Sequence, residues 1–168
     1  MAAEETLDRW MGVEQEWAVP VRREYLRWPE EYRARVPRGS LTYASELVFS
    51  LYNYRFNDGS PAFPWFGRSM EQRNTYTRGL LRNGGFFEHQ WNHVETSTPE
   101  CRNHWDLVRY DRASDVWVYI ACAEFRRRCG VDICCWKSNV DAVGVSRATH
   151  ENYDCDRARF EPSQRALT

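Results

Sequence analysis

Three stretches of this 168-residue chain hold side chains able to do chemistry at short spacing. Met11 to Trp17, MGVEQEW, places Glu14 and Glu16 two residues apart. Leu81 to Cys101, LRNGGFFEHQWNHVETSTPEC, gathers Glu88, His89, Gln90, His93 and Glu95. Lys137 to Tyr153, KSNVDAVGVSRATHENY, sets Lys137, Asn139, Asp141, Gly144 and the run His150-Glu151-Asn152-Tyr153 in close succession, which core packing alone does not explain. Carboxylates suit hard cations, and imidazoles extend the choice to transition metals. If Gly12 to Val19 is a strand, alternation puts Glu14 and Glu16 on one face and Val13 and Trp17 on the other. Two carboxylates sharing a face repel unless something cationic lies between them.

Each group also has a plainer reading. Glu14 and Glu16 fit a solvated strand face, His150 a hydrogen-bonded loop residue, and Asn139 with Asp141 a turn held by its own side chains. His89 and His93 with Glu95 have the ligand types of a transition-metal site, although on this reading the two histidines lie in a loop.

The elements that must position these groups are legible in outline. Pro29 can open a short helix through Tyr32. Ser40 reads as the cap of a better helix, which carries the apolar stripe Leu47, Val48, Leu51 and Tyr52 and runs to about Tyr54. Asn57-Asp58-Gly59, Pro61 and Pro64 end it and begin a loop to about Thr77, where Phe63, Trp65 and Phe66 either pin the loop to the core or serve a binding or lid role. Asn83-Gly84-Gly85 signals a turn into a strand from Phe86 to Trp91. Thr98-Pro99-Glu100 looks like a helix N-terminus, leading to helical structure from Trp105 to Arg128 with a break near Ser114 and a stop at Gly130. Val131 to Trp136 reads as a short apolar strand.

Composition sets bounds on function. A formal net charge of -1 gives no whole-protein field to recruit nucleic acid. The acidic start, MAAEETLDRW, is unlike a secretory signal, and no apolar run approaches spanning length, so a soluble cytoplasmic protein without a membrane or nucleic-acid partner is expected. Six cysteines without a C-x-x-C pair are expected as reduced thiols, acting mostly as small hydrophobes. Zinc on Cys129, Cys134 and Cys135 is disfavoured, because a strand would turn Cys134 and Cys135 to opposite faces. Eight tryptophans and nine tyrosines must line either a core or a groove.

Together, and in this order, the three stretches resemble the Pup ligase and Pup deamidase (depupylase) family over roughly Met11 to Phe160. The resemblance implies an α+β chain: the first part of a glutamine-synthetase-like catalytic domain, mainly antiparallel sheet with helices on one face. It also implies ATP and Mg2+ as cofactors. The chemistry would fall on the carboxyl-terminal Glu or Gln of a small Pup-like protein, as in pupylation and depupylation by proteasome accessory factors. Glu14, Glu95 and His150 fall on family metal-site positions, and Glu16 is a further candidate ligand. Lys137, Asn139 and Asp141 reproduce the family's Lys-x-Asn-x-Asp spacing, implying proximity to nucleotide or metal.

Two departures stand out. Counting back from Thr98-Pro99-Glu100-Cys101, the spacing fits the deamidase motif Tyr-Val-Asp-His-Ala-His-Pro-Glu, which places the family's catalytic aspartate at Gln90, its tyrosine at Glu88 and its proline at Val94. A glutamine amide accepts no proton at neutral pH, so the general base is lost unless Glu88, on the same strand face, replaces it. The second departure is length, since family members continue well beyond the His-Glu-Asn-Tyr run. The expectation is a single, incomplete domain over residues 1–168, with a second chain supplying the rest or an exposed sheet edge. The spacing tilts the reading toward a deamidase, with a catalytically inactive binding or regulatory relative as the alternative.

Overall fold

The computed structural model describes residues 10–22, 42–62, 76–90, 93–137, 140 and 147–154. The short helix expected at Pro29, the aromatic loop residues Phe63, Trp65 and Phe66, and Asn139 with Asp141 lie outside them. Among the described residues a six-stranded antiparallel sheet is built from β1 (Met11–Ala18), β2 (Tyr76–Leu80), β3 (Phe86–Gln90), β4 (His93–Ser97), β5 (Trp136–Lys137) and β6 (Thr149–Tyr153). The order is β2-β3-β4-β1-β5, and β6 pairs with the other end of the β1 edge that β5 uses. Helices α1 (Ala44–Asn53) and α2 (His104–Cys129) pack on each other and on one face of the sheet, so the fold is the α+β arrangement expected.

The core sits between that face and the helices. β1 alternates as read from its sequence, with Val13, Gln15 and Trp17 buried and Glu14 and Glu16 half-buried on the reverse side. Trp17 donates from its indole to Thr96 Oγ1 at 3.0 Å, satisfying a polar group that burial would otherwise leave costly. Phe87 and Val94 join it from β3 and β4, Leu47, Val48 and Leu51 from α1, and Val118, Ala121 and Phe125 from α2. The aromatic residues divide: Tyr43, Tyr52, Tyr54 and Trp117 lean on the core, whereas Trp105, Tyr119 and Trp136 are exposed.

Four local expectations need correction. First, α1 begins at Ala44 with Tyr43 at its N-cap, not at a Ser40 cap, and Thr42 Oγ1 accepts from the Ala44 amide. Second, the helix expected at Thr98 starts at His104, because sheet pairing holds the preceding backbone: Thr98 N donates to Val13 O, and Met11 and Cys101 exchange two hydrogen bonds. Asn103 caps α2 by accepting from the Asp106 amide at 2.9 Å. Third, α2 runs through Ser114 unbroken, and that buried hydroxyl is satisfied by donating to Tyr110 O one turn back. Gly130 ends it in the left-handed conformation, as expected. Fourth, of Val131 to Trp136 only Trp136 is in a strand, because β6 takes the Met11–Gln15 part of β1's edge and leaves Trp17 and Ala18 for β5. Among the described residues, no helix is long and apolar enough to cross a membrane.

The β2–β3 turn closes where the sequence placed it, with Gly84 at a φ of 88°. Gly85 is needed for a different reason, since a Cβ there would lie 2.3 Å from Ser97 O. We expect Gly85→Ala to cost about 1–3 kcal/mol in urea denaturation by forcing β3 from β4. Gly12→Ala, whose Cβ would meet only Thr98 Oγ1 at an ordinary 3.7 Å, is the control.

Candidate functional site

The strand register collects the chemistry on the sheet face turned away from the helices. Glu16 of β1 lies opposite Glu95 of β4, and Glu95 lies opposite Glu88 of β3, so three glutamates form one row across three adjacent strands. Residues directly opposite in antiparallel strands share a face, so the row is a consequence of pairing. One step along, Gln90 pairs with His93, which pairs with Ala18. On the other side of the row, Glu14 lies between Ser97 and His150 of β6.

Glu88, His93 and Glu95 are buried, at 3%, 7% and 5% exposure. His93 Nε2 is 3.7 Å from Glu16 Oε1 and 3.9 Å from Glu95 Oε2, and neither ring nitrogen of His93 has a hydrogen-bond partner. Ligand atoms of Glu16, His93 and Glu95 all lie within 4.8 Å of one another. Glu16 is further fixed by its second oxygen, which accepts from the Ala148 amide at 2.8 Å. Glu14 Oε2 is 3.4 Å from His150 Nδ1, with His150 exposed.

A buried imidazole left with both nitrogens unpaired costs on the order of 1–3 kcal/mol for each unmet group, and opposed carboxylates add repulsion. One divalent cation between the three side chains would answer both, because each offers a lone pair and the gaps exceed a direct hydrogen bond. The donor set of two carboxylates and one imidazole therefore fits a metal ion, with Glu14 and His150 beside it.

Of the residues singled out from sequence, Glu14, Glu16, Glu88, Gln90, Glu95 and His150 come to this one face. Lys137 does not. Its ammonium lies on the helix side, 2.9 Å from Asp115 Oδ1, 3.5 Å from Asp111 Oδ1 and 4.8 Å from the Trp17 ring centroid. His89 is also separated, because it is fully buried and pairs in register with Val94, with the opposite parity to Gln90. A transition-metal site joining His89 to His93 and Glu95 is thus corrected: His89 is on the strand expected from Phe86, and His93 is on a further strand instead of in a loop. His93 with Glu16 is the partnership that the sequence reading missed. Its signal was the H-x-E spacing of His93 and Glu95, which shares a face once 93–97 is recognised as a strand.

Comparison with known proteins decides the family. The family model described as Pup-ligase protein matches residues 9–168. The chain belongs to that family. A Pup–protein ligase of Brachybacterium faecium is 40% identical over 70 residues, 39% of this chain and 15% of that protein. The Pup–protein ligase of Mycobacterium avium is 40% identical over 86 residues, 47% of this chain and 19% of that protein. This Pup-ligase family chain therefore spans less than a fifth of those curated relatives. One chain in the crystal structure of the complex between prokaryotic ubiquitin-like protein Pup and its ligase PafA is similar in fold. Its TM-score is 0.58 at 19% identity, covering 94% of this chain and 27% of that one.

The row of glutamates makes a counterintuitive stability change expected. In chelator, Glu95→Gln should stabilise the protein by up to about 1 kcal/mol in urea denaturation, because it removes the central charge of the row. A destabilisation would mean that Glu95 is already balanced by a group of the protein.

Proposed function

We propose that the acidic face of this Pup-ligase family chain is the cation-binding wall of a Mg2+- and ATP-dependent site. It would act in carboxylate-amine chemistry at the carboxyl-terminal Glu or Gln of a Pup-like protein. The observation that carries the proposal is the cluster of half-buried Glu16 with buried His93 and Glu95, whose imidazole has no hydrogen-bond partner, lying on the strands that the family resemblance had marked. Glu16, Glu95 and His93 would hold the ion, with Glu14 and His150 extending the wall. When bound, magnesium would neutralise phosphate charge on the nucleotide. Asn139 and Asp141 remain proposed for nucleotide or metal contact by family spacing, and Lys137 would act by tying β5 onto α2 through Asp115.

The names of the relatives favour ligation over deamidation as the direction of chemistry. Either reaction needs a base, since an attacking lysine must lose its proton and an attacking water must be activated. Gln90 stands on the acidic face beside His93 in register, where its amide can orient a group by hydrogen bonding but not take a proton. Glu88, two residues back on that face, is the carboxylate positioned to substitute. Gln90 also supports a second reading, a binding or regulatory relative that has kept the wall and lost the base. In both readings the rest of the relatives' length would come from a further polypeptide region or a second chain, in the cytoplasm.

Calorimetry with magnesium and a nonhydrolysable ATP analogue tests the wall. Glu95→Ala and Glu14→Ala should each bind at least about 10- to 100-fold more weakly than the unaltered chain, since supporting partners of a metal site alone are worth that much. Equal binding by all three would remove the assignment. Turnover separates the two readings. With the relatives' carboxyl-terminal region supplied in trans, Gln90→Asp should raise conversion of a peptide ending in Glu or Gln by roughly 100- to 10,000-fold, as read by mass shift. Comparable turnover without the substitution would assign the base to Glu88.

A further inference from the structure

On the helix side of the sheet, away from the acidic face, the chain after α2 folds back along the helix and borders an open pocket of about 660 Å³. Its wall includes Trp17, Val118 and Trp136 and three cysteines, Cys122 of α2 and Cys134 and Cys135 just before β5, of which Cys122 and Cys135 meet. Their sulfurs are 3.8 Å apart, within S–H···S hydrogen-bond distance. Both are free and partly exposed. A disulfide has a sulfur separation of about 2.05 Å, so closure needs an approach of roughly 1.8 Å. Residues 131–135 are in no helix or strand, so the Cys135 side can yield while α2 stays in place.

We propose that Cys122 and Cys135 form a site of reversible oxidation by a hydroperoxide, closing to an intramolecular disulfide across the pocket wall. Cys122 loses its thiol proton and its sulfur attacks one peroxide oxygen. The O–O bond breaks, the departing oxygen takes up a proton and leaves as water or an alcohol, and Cys122 becomes a sulfenic acid. Cys135 sulfur then displaces hydroxide from the Cys122 sulfur, and its thiol proton completes a molecule of water. Two thiols are oxidised by two electrons in all, and one peroxide is reduced. A dithiol reductant reverses the bond by exchange.

The division of roles follows from where the two sulfurs are held, and their surroundings agree with it. Contact with the Cys135 thiol favours the Cys122 thiolate and lowers its pKa, against the opposing effect of burial. The same contact, together with burial, pushes Cys135 up. Cys122, held on α2, is the attacking sulfur, and Cys135, carried by the irregular segment that can move toward it, is the one that resolves the sulfenic acid. The neighbours are placed differently: Cys129 and Cys134 are exposed, and Cys101 is buried with its thiol on Pro99 O.

The experiment exposes the reduced chain to hydrogen peroxide, alkylates the remaining thiols and maps cross-linked peptides by mass. The unaltered chain, C129S and C134S should all yield a Cys122–Cys135 cross-link that dithiothreitol reverses. C122S and C135S should yield none, and C135S should instead accumulate a Cys122 sulfenic acid trapped by a cyclic diketone. A cross-link through Cys129 or Cys134, dimers joined between chains, or full alkylation of Cys122 and Cys135 after peroxide would overturn the proposal.

Discussion

The acidic face depends on one constraint: antiparallel pairing sets Glu88, Glu95 and Glu16 side by side across β3, β4 and β1, with His93 buried next to them. Like charges opposed across strands destabilise a sheet, and an imidazole without partners adds a desolvation cost. A fold that keeps such a row must either balance it from within or bind a cation there. The 3.7 and 3.9 Å gaps around His93 Nε2 suit a shared ion better than direct hydrogen bonding.

The reverse face supplies the stability that this arrangement costs. Trp17, Phe87 and Val94 alternate with the acidic residues along the same three strands, and they meet α1 and α2 in a continuous core. Every second residue therefore anchors the strand while its neighbours are held for chemistry, which places the acidic groups on rigid elements. Gly85, which lets β3 approach Ser97, and Thr96, which accepts from Trp17, fix the register that aligns the row. A one-residue slip would turn the glutamates inward and break both faces at once.

Much of this was legible in the sequence because strand alternation is a local property. The faces of β1 and of Phe86 to Gln90, the apolar stripe of α1, the Gly84 turn and the Gly130 stop all follow from residues close in the chain. What the sequence left hidden depends on distant pairing. Thr98 and Cys101 are drawn into contact with Val13 and Met11, so the helix signal at Thr98-Pro99 loses to the sheet. His93 reaches Glu16 only through the β1–β4 register, and Lys137 turns to Asp115 because β5 pairs with Trp17 and Ala18. Motif spacing marked the right strands, but register decides which side chains meet.

The central claim is that a single cation belongs between Glu16, His93 and Glu95. The most direct measurement is a crystal structure grown with manganese, whose anomalous scattering locates the ion independently of the protein phases. The expected peak lies about 2.0–2.3 Å from carboxylate oxygens of Glu16 and Glu95 and from a nitrogen of His93. No peak on this face, or one held by Glu14 and His150 alone, would contradict it.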